Sequence, residues 1–240
     1  PINEDLIVIG TDDGLVQITS DGGKSWRKVD NISGAPSQSY VNSVYTSHHD
    51  ENTIYVAFNH HKYGDFKPYI FMSSDKGSSW KSISNNLPSR GSVYAIEEDH
   101  IDSGLIFCGT EFGVFFSPNN GKVWKELSNG LPTIAVRDIA IQRDMNDLVL
   151  GTFGRGFYVL DDYTLLRDIE NKEISAKAMI MSTRDAIMWE KANPLGLPGK
   201  SFQGDNFYVG ENLDPVAMID YYYSNSYKSI RDKRKATEKD

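Results

Sequence analysis

Ser73-Ser74-Asp75-Lys76-Gly77-Ser78-Ser79-Trp80 is the stretch that decides the fold. Its pattern, [Ser/Thr]-x-[Asp/Asn]-x-Gly-x-x-Trp, occurs three times. Thr19-Ser20-Asp21-Gly22-Gly23-Lys24-Ser25-Trp26 precedes it, and Ser117-Pro118-Asn119-Asn120-Gly121-Lys122-Val123-Trp124 follows, with Asn for Asp. The tryptophans lie 54 and then 44 residues apart, a period typical of a solenoid, propeller or array. Turn physics explains the residue types. Asp21, Asp75 and Asn119 can each accept bonds from backbone N–H groups of their own tight turn. Gly23, Gly77 and Gly121 supply a positive φ without steric cost. Trp26, Trp80 and Trp124 each offer a large ring for burial between blades, with an indole N–H that needs a partner. All nine residues are therefore read as structural.

Each box sits inside a longer unit. Gly10-Thr11-Asp12-Asp13-Gly14 and Gly109-Thr110-Glu111-Phe112-Gly113 are matching upstream turns, with Gly151–Gly156 as a longer version. Downstream, Trp80–Pro88 and Trp124–Pro132 match almost position by position. Runs of Val, Ile, Tyr and Phe bounded by Gly, Asn, Asp and Pro read as strands. Val41–Thr46, Val93–Glu97 and Val136–Ile141 are first strands of three units. Thr53–Phe58, Leu105–Cys108 and Leu148–Leu150 are second strands. Tyr69–Ser73, Val114–Ser117 and Phe157–Leu160 are third strands, and Trp80–Ile83 and Trp124–Leu127 are fourth strands. An earlier unit holds Leu6–Ile9, Leu15–Thr19 and Trp26–Val29 but lacks a first strand. The fold class expected is all-β: a partial β-propeller of about four consecutive four-stranded antiparallel blades, the first incomplete.

The boxes resemble the Asp-box, or bacterial neuraminidase repeat, of sialidases, xyloglucanases and sortilin-type propellers. Gly151-Thr152-Phe153-Gly154-Arg155-Gly156-Phe157-Tyr158-Val159-Leu160-Asp161-Asp162, followed by Leu166-Arg167, is similar to a group of exported bacterial propellers labelled sortilin-like or glycosyl hydrolase. That group typically has His where this chain has Phe153. Ser182–Ala186 and Gly204-Asp205-Asn206 resemble its linker into a β-sandwich-like module. The resemblance implies an extracytoplasmic location (periplasmic, cell-surface or secreted). It also implies three domains: a partial propeller over 1–183, an extended linker over 184–215, and over 216–240 the truncated first strand of a downstream β-module plus a charged tail. The chain then reads as a fragment whose partner is the remainder of the same polypeptide.

Composition sets outer limits. Of the 240 residues, 39% are hydrophobic and 24% charged, which suits a folded β-rich protein. The net charge of −8 and the lack of a basic stripe argue against nucleic acid. No apolar run reaches membrane-spanning length, so no membrane insertion is expected. Cys108 lies in an apolar strand and reads as an inert core thiol. No Cys/His spacing marks a metal site, and no cofactor is implied.

Propeller topology puts the boxes on one face and the second-to-third strand turns, with the inter-blade connectors, on the other. The second face is the candidate ligand face. Its predicted residues are Asp12, Asp13, His60, His61, Tyr63, Arg90, Glu111, Phe112, Arg137, Phe153 and Arg155, a mixture able to bind a glycan or a peptide. The competing reading is ordinary solvated turn residues. His60-His61 has no evident third metal ligand, and adjacent strand residues point to opposite sides. Gly151–Gly156 leads into a strand rather than a helix, so it lacks the anion-binding helix N-terminus of a phosphate loop. Asp161-Asp162 is expected to open a turn or short helix into Tyr163–Arg167. Ala178–Ser182 is expected to return as the fourth strand beside Phe157–Leu160, and Val216–Tyr223 to be a strand without a partner.

The expected function is a non-catalytic ligand-binding or scaffold propeller segment of a larger exported protein. One alternative is part of a glycoside hydrolase, sialidase- or xyloglucanase-like, with catalytic groups partly elsewhere; such an enzyme needs paired carboxylates or an Arg cluster with a Tyr nucleophile. The other is a protein-sorting or assembly propeller that binds peptide.

Overall fold

The computed structural model describes residues 2–171, 178–190, 216–224 and 228–238. Chain contacts group the molecule into two compact units, Pro1–Ile174 and Ser175–Asp240.

The first unit is four antiparallel meanders in chain order, a partial β-propeller. The first sheet holds β1 (Ile7–Gly10), β2 (Val16–Thr19) and β3 (Arg27–Val29). The second holds β4 (Tyr40–Thr46), β5 (Ile54–His60), β6 (Asp65–Ser73) and β7 (Lys81–Ser82). The third holds β8 (Val93–Glu98), β9 (Ile106–Thr110), β10 (Gly113–Ser117) and β11 (Lys125–Leu127). The fourth has three strands, β12 (Val136–Gln142), β13 (Asp147–Thr152) and β14 (Phe157–Leu160).

The core lies in the seams between sheets, and the two-residue strand period assigns side chains to seams. Along β5, Ile54, Val56 and Phe58 pack with Val16, Ile18 and Val41 in the first seam. Tyr55 and Ala57 face the other way, into the second seam with Val93, Ile106, Cys108 and Trp124. In the third sheet, Leu105, Phe107, Val114 and Phe116 meet Val136, Ile139, Leu148 and Leu150. Inner sheets covered on both faces read as unbroken apolar runs: β9 and β10 are buried at every position. Close approach between sheets demands glycine. A Cβ on Gly109 would lie 2.7 Å from the Val136 carbonyl oxygen of the next sheet.

The three boxes share one hydrogen-bond scheme. The Ser73 hydroxyl donates to Asp75 Oδ1 (2.8 Å) and accepts from the Gly77 N–H (2.8 Å). Asp75 accepts from the Ser79 N–H (2.8 Å) and hydroxyl (2.6 Å). Thr19 and Asp21 repeat this with Gly23 and Ser25, and Ser117 and Asn119 with Gly121 and the Val123 N–H, without the hydroxyl bond because valine has none. Accepting these bonds, led by those from Ser25 and Ser79, holds the Asp21 and Asp75 carboxyls down at about 2. The tryptophans differ. Trp124 is 3% exposed and donates its indole N–H to the Ile83 carbonyl of the previous sheet (2.7 Å). Trp80 is half-buried against the first seam, and Trp26 is 41% exposed; both donate within their own turns, to Gly77 O and Gly23 O.

The fourth sheet has no box. As the Asp pair predicts, the chain enters a 3-10 turn, Tyr163–Arg167, opened by Asp162 at φ +50° with its carboxylate accepting from the Thr164 N–H, and then α1 (Asp168–Asn171). Tyr163 and Leu166 are buried in the third seam. The expected fourth strand is not there. β15 (Ala178–Ile180) pairs antiparallel with β16 (Tyr221–Tyr223), in the second unit. Two short edge strands satisfy each other's backbone, so Tyr221–Tyr223 also has the partner that the sequence reading denied it. Residues 184–190 have no regular structure, and the rest of the expected linker, 191–215, including Gly204–Asn206, lies outside the described residues. The charged tail contains an exposed helix, α2 (Ile230–Thr237), capped by Ser229 accepting from the Asp232 N–H.

Candidate functional site

The innermost strands β4, β8 and β12 each carry an irregularity at the same place. Their register slips between Val41 and Ser43, Val93 and Ala95, and Val136 and Asp138. The extra residues are Asn42, Tyr94 and Arg137. A bulge turns its extra side chain out of the ladder and re-aims it. Three consecutive sheets therefore present one re-aimed side chain each. Asn42 donates to the Val93 carbonyl of the next sheet (2.7 Å) and accepts from Asn59 (3.0 Å). Arg137 reaches back over the Tyr94 ring, its guanidinium carbon 3.8 Å from the centroid, and lies 5.4 Å from the Phe153 ring.

The second-to-third strand turns and the connectors meet beside this row. The Glu111 N–H donates to Ser92 O (3.1 Å), the Phe153 N–H to Ala135 O (2.9 Å), and the Gly91 N–H to Phe66 O (2.8 Å). Polar groups here are left open. Ser92 Oγ and Glu111 Oε2 are buried atoms without a hydrogen-bond partner, a costly state that calls for an explanation. Burial, opposed by Arg137 and reinforced by Glu111, raises the Tyr94 phenol above its ordinary value. Arg137 is exposed and stacked, with no ion pair among the described residues. A guanidinium on aromatic faces keeps its in-plane donors available for a carboxylate.

The remaining predicted residues lie around this centre in smaller groups. His60 stacks on Tyr63, centroids 4.5 Å apart, and its Nδ1 is 3.1 Å from Ser39 Oγ. The Tyr63 hydroxyl donates to Gln38 (2.9 Å), and His61 bonds to Asn59. Arg90 sits over Phe66 at 5.4 Å. Phe112 and Phe153 are 43% and 70% exposed, and Arg155 is exposed in its turn. Asp12 is exposed, while Asp13 accepts from Thr11 in its own turn, which lowers its carboxyl. Among the described residues no group of three or more His, Cys, Asp or Glu side chains is placed to hold a metal ion. Burial pushes the Cys108 thiol well up, so it stays protonated.

Sequence reasoning missed Tyr94, Asn42 and Ser92. The signal was present: Val41-Asn42, Val93-Tyr94 and Val136-Arg137 occupy matching places in three first strands.

It also missed the opposite face, where charged groups are paired off. Asp99, fully buried, accepts from Arg167 Nε (2.8 Å) and Nη2 (2.7 Å) and from the Tyr163 hydroxyl (2.5 Å). Burial raises its carboxyl, but the Arg167 and Tyr163 bonds outweigh that and leave it lowered. Glu98 accepts from Ser47, the His48 N–H and Tyr55. Burial lifts Glu97 to about 7, although it accepts from Tyr45.

Solved structures share this fold. YCF48 bound to a D1 peptide aligns with a TM-score of 0.51 at 17% identity, over 68% of this chain and 49% of that one. An ancestral GH74 enzyme aligns at 0.50 and 20% identity, over 63% and 21%. The extracellular domain of BT4673 from B. thetaiotaomicron aligns at 0.51 and 18%, over 68% and 20%. The chain thus spans about half of the first structure and about a fifth of the others. No protein-family model and no curated protein matches it. Fold and comparisons together define a β-propeller segment; at these identities they establish the architecture alone.

Proposed function

We propose that this chain is a ligand-binding segment of an exported propeller, and that its ligand is an extended acidic peptide. The carrying observation is Arg137, stacked on Tyr94 and near Phe153, with no carboxylate partner of its own. A peptide carboxylate would take the guanidinium, and a backbone N–H would take the orphan oxygen of Glu111. Phe112 and Phe153 would cover apolar side chains. The peptide in the YCF48 complex lends this reading support by analogy of fold. The hydrolase alternative needs two carboxylates across a groove; Asp13 is committed to its own turn, which favours binding over hydrolysis. A neutral glycan would use the aromatic rings but leave Arg137 without a counter-charge.

The test is titration of the chain with an acidic nonapeptide, a basic nonapeptide and a xyloglucan oligosaccharide. The acidic peptide should bind, weaken as salt rises, and lose at least about tenfold in affinity with Arg137→Ala, the size of one charge-assisted bond. Binding of the oligosaccharide alone would overturn the proposal.

A further inference from the structure

The connector that leaves the third sheet, Ser128-Asn129-Gly130-Leu131, is a turn closed by the Leu131 N–H on Ser128 O (3.2 Å). Asn or Asp followed by Gly is a chemically fragile pair. With no side chain on the second residue, its backbone nitrogen can approach the side-chain carbonyl carbon of the first. The sequence holds four such pairs: Asp13-Gly14, Asp21-Gly22, Asn120-Gly121 and Asn129-Gly130. Three have the glycine nitrogen tied down. The Gly14 N–H donates to Thr11 O (3.4 Å) and the Gly22 N–H to Asp5 O (3.1 Å). The Gly121 N–H donates to the buried Ser117 hydroxyl oxygen (2.8 Å) inside the third box, and the Asn120 N–H donates to Gly104 O (2.9 Å). Gly130 differs. Its N–H has no acceptor, and the Asn129 side-chain amide no partner, among the described residues. A Cβ on Gly130 would meet nothing within 4 Å, whereas one on Gly121 would lie 2.7 Å from the Ile83 Cβ. Exposure does not separate the two asparagines, since Asn120 and Asn129 are both exposed. The state of the glycine nitrogen does. The matching connector one sheet earlier is restrained: Asn85 donates to Gly121 O, and Asn86, in the place of Gly130, is bonded both ways to the Trp124 backbone.

We infer that Asn129 is a covalent modification site, deamidated by the chain's own backbone, while its box protects Asn120 from the same reaction. The Gly130 nitrogen attacks the Asn129 Cγ. The new C–N bond closes a five-membered succinimide, the Cγ–Nδ2 bond breaks, and ammonia leaves with the proton that the Gly130 nitrogen gives up. Water then opens the ring at either carbonyl, giving aspartate or isoaspartate. A nitrogen that already donates to a fixed oxygen cannot swing onto Cγ without first losing that bond, which is the protection the Ser117 hydroxyl gives Gly121. Either product puts a new negative charge on the groove wall that Asn129 shares with Glu126. The isoaspartate also lengthens the backbone of the turn at 128–131 by one carbon.

The whole chain is aged at mildly alkaline pH, folded or unfolded in guanidinium chloride, and digested briefly with trypsin. Peptides 91–122 and 126–137, which carry Asn120 and Asn129, are followed by mass spectrometry for the mass gain of amide-to-acid exchange, with fragment spectra to assign the residue. In the folded chain Asn129 should deamidate at least tenfold faster than Asn120. In the unfolded chain the two rates should agree within about threefold, because both are then Asn-Gly pairs in open chain. Ser117→Ala frees the Gly121 N–H and should raise the Asn120 rate at least threefold while leaving that of Asn129 in place. Equal rates in the folded chain would overturn the inference. So would a tenfold difference that persists after unfolding, since local sequence rather than the box would then set it, or an Asn120 rate indifferent to Ser117→Ala.

Discussion

The two faces of the propeller treat charge in opposite ways. On the box face, carboxylates are matched to donors: the buried Asp99 to Arg167 and Tyr163, the buried Glu98 to Ser47 and Tyr55, and the more exposed box acids to their own turns. On the connector face, an arginine lies on aromatic rings without an ion partner, and two buried oxygens have no donor. Matched groups hold a fold together, while unmatched ones cost stability unless something else completes them. The contrast directs attention to the connector face as the place where a ligand would act.

The contrast can be broken most severely at Asp99. Asp99→Ala removes a fully buried carboxylate that accepts two bonds from Arg167 and one from Tyr163, and should destabilise by about 3–5 kcal/mol in urea unfolding. A loss below about 1 kcal/mol would mean the box face is not the stabilising side. Trp124→Ala follows, at about 3 kcal/mol or more, since its ring fills a seam. Trp26→Ala should cost less than half of that, because the ring is 41% exposed; equal losses would show that the box turn, rather than seam filling, is what the indole supports.

Glu97 sharpens the contrast through pH. Its folded value of about 7 lies above the ordinary 4.5. The folded chain therefore holds this proton more tightly, and stability should fall as pH rises from about 4.5 through 7, then level off. Glu97→Gln should flatten that decline. The gain above pH 7 should be on the order of 1–2 kcal/mol, given solvent screening of a half-buried group. A slope unchanged by the substitution would remove Glu97 as its source. The smallest effects belong to the connector face. Arg137→Ala and Phe153→Ala should shift unfolding by no more than about 0.5 kcal/mol, a null result on stability that the box face could not give.

The boxes made the architecture legible because each encodes a whole hairpin locally: hydroxyl, acid, glycine and ring within eight residues. Sheet order and seam packing followed from it. The functional row was less legible, since a bulge is a relation between two strands, and Asn42 and Tyr94 look like ordinary strand residues. The Asp99–Arg167 pair spans 68 positions and has no local signature. Ala178–Ile180 was recognisable as a strand, but its partner was not, because strand propensity says nothing about which edge is free.

The central claim is that ligand binding belongs to the row of Asn42, Tyr94 and Arg137. The most direct measurement is amide and side-chain chemical-shift mapping of the chain while an acidic nonapeptide is titrated in. The account predicts saturable shifts at Tyr94, Glu111, Arg137 and Phe153, with Asp99, Glu98 and the box turns unmoved. Shifts confined to the box face, or spread evenly over both faces, would contradict it.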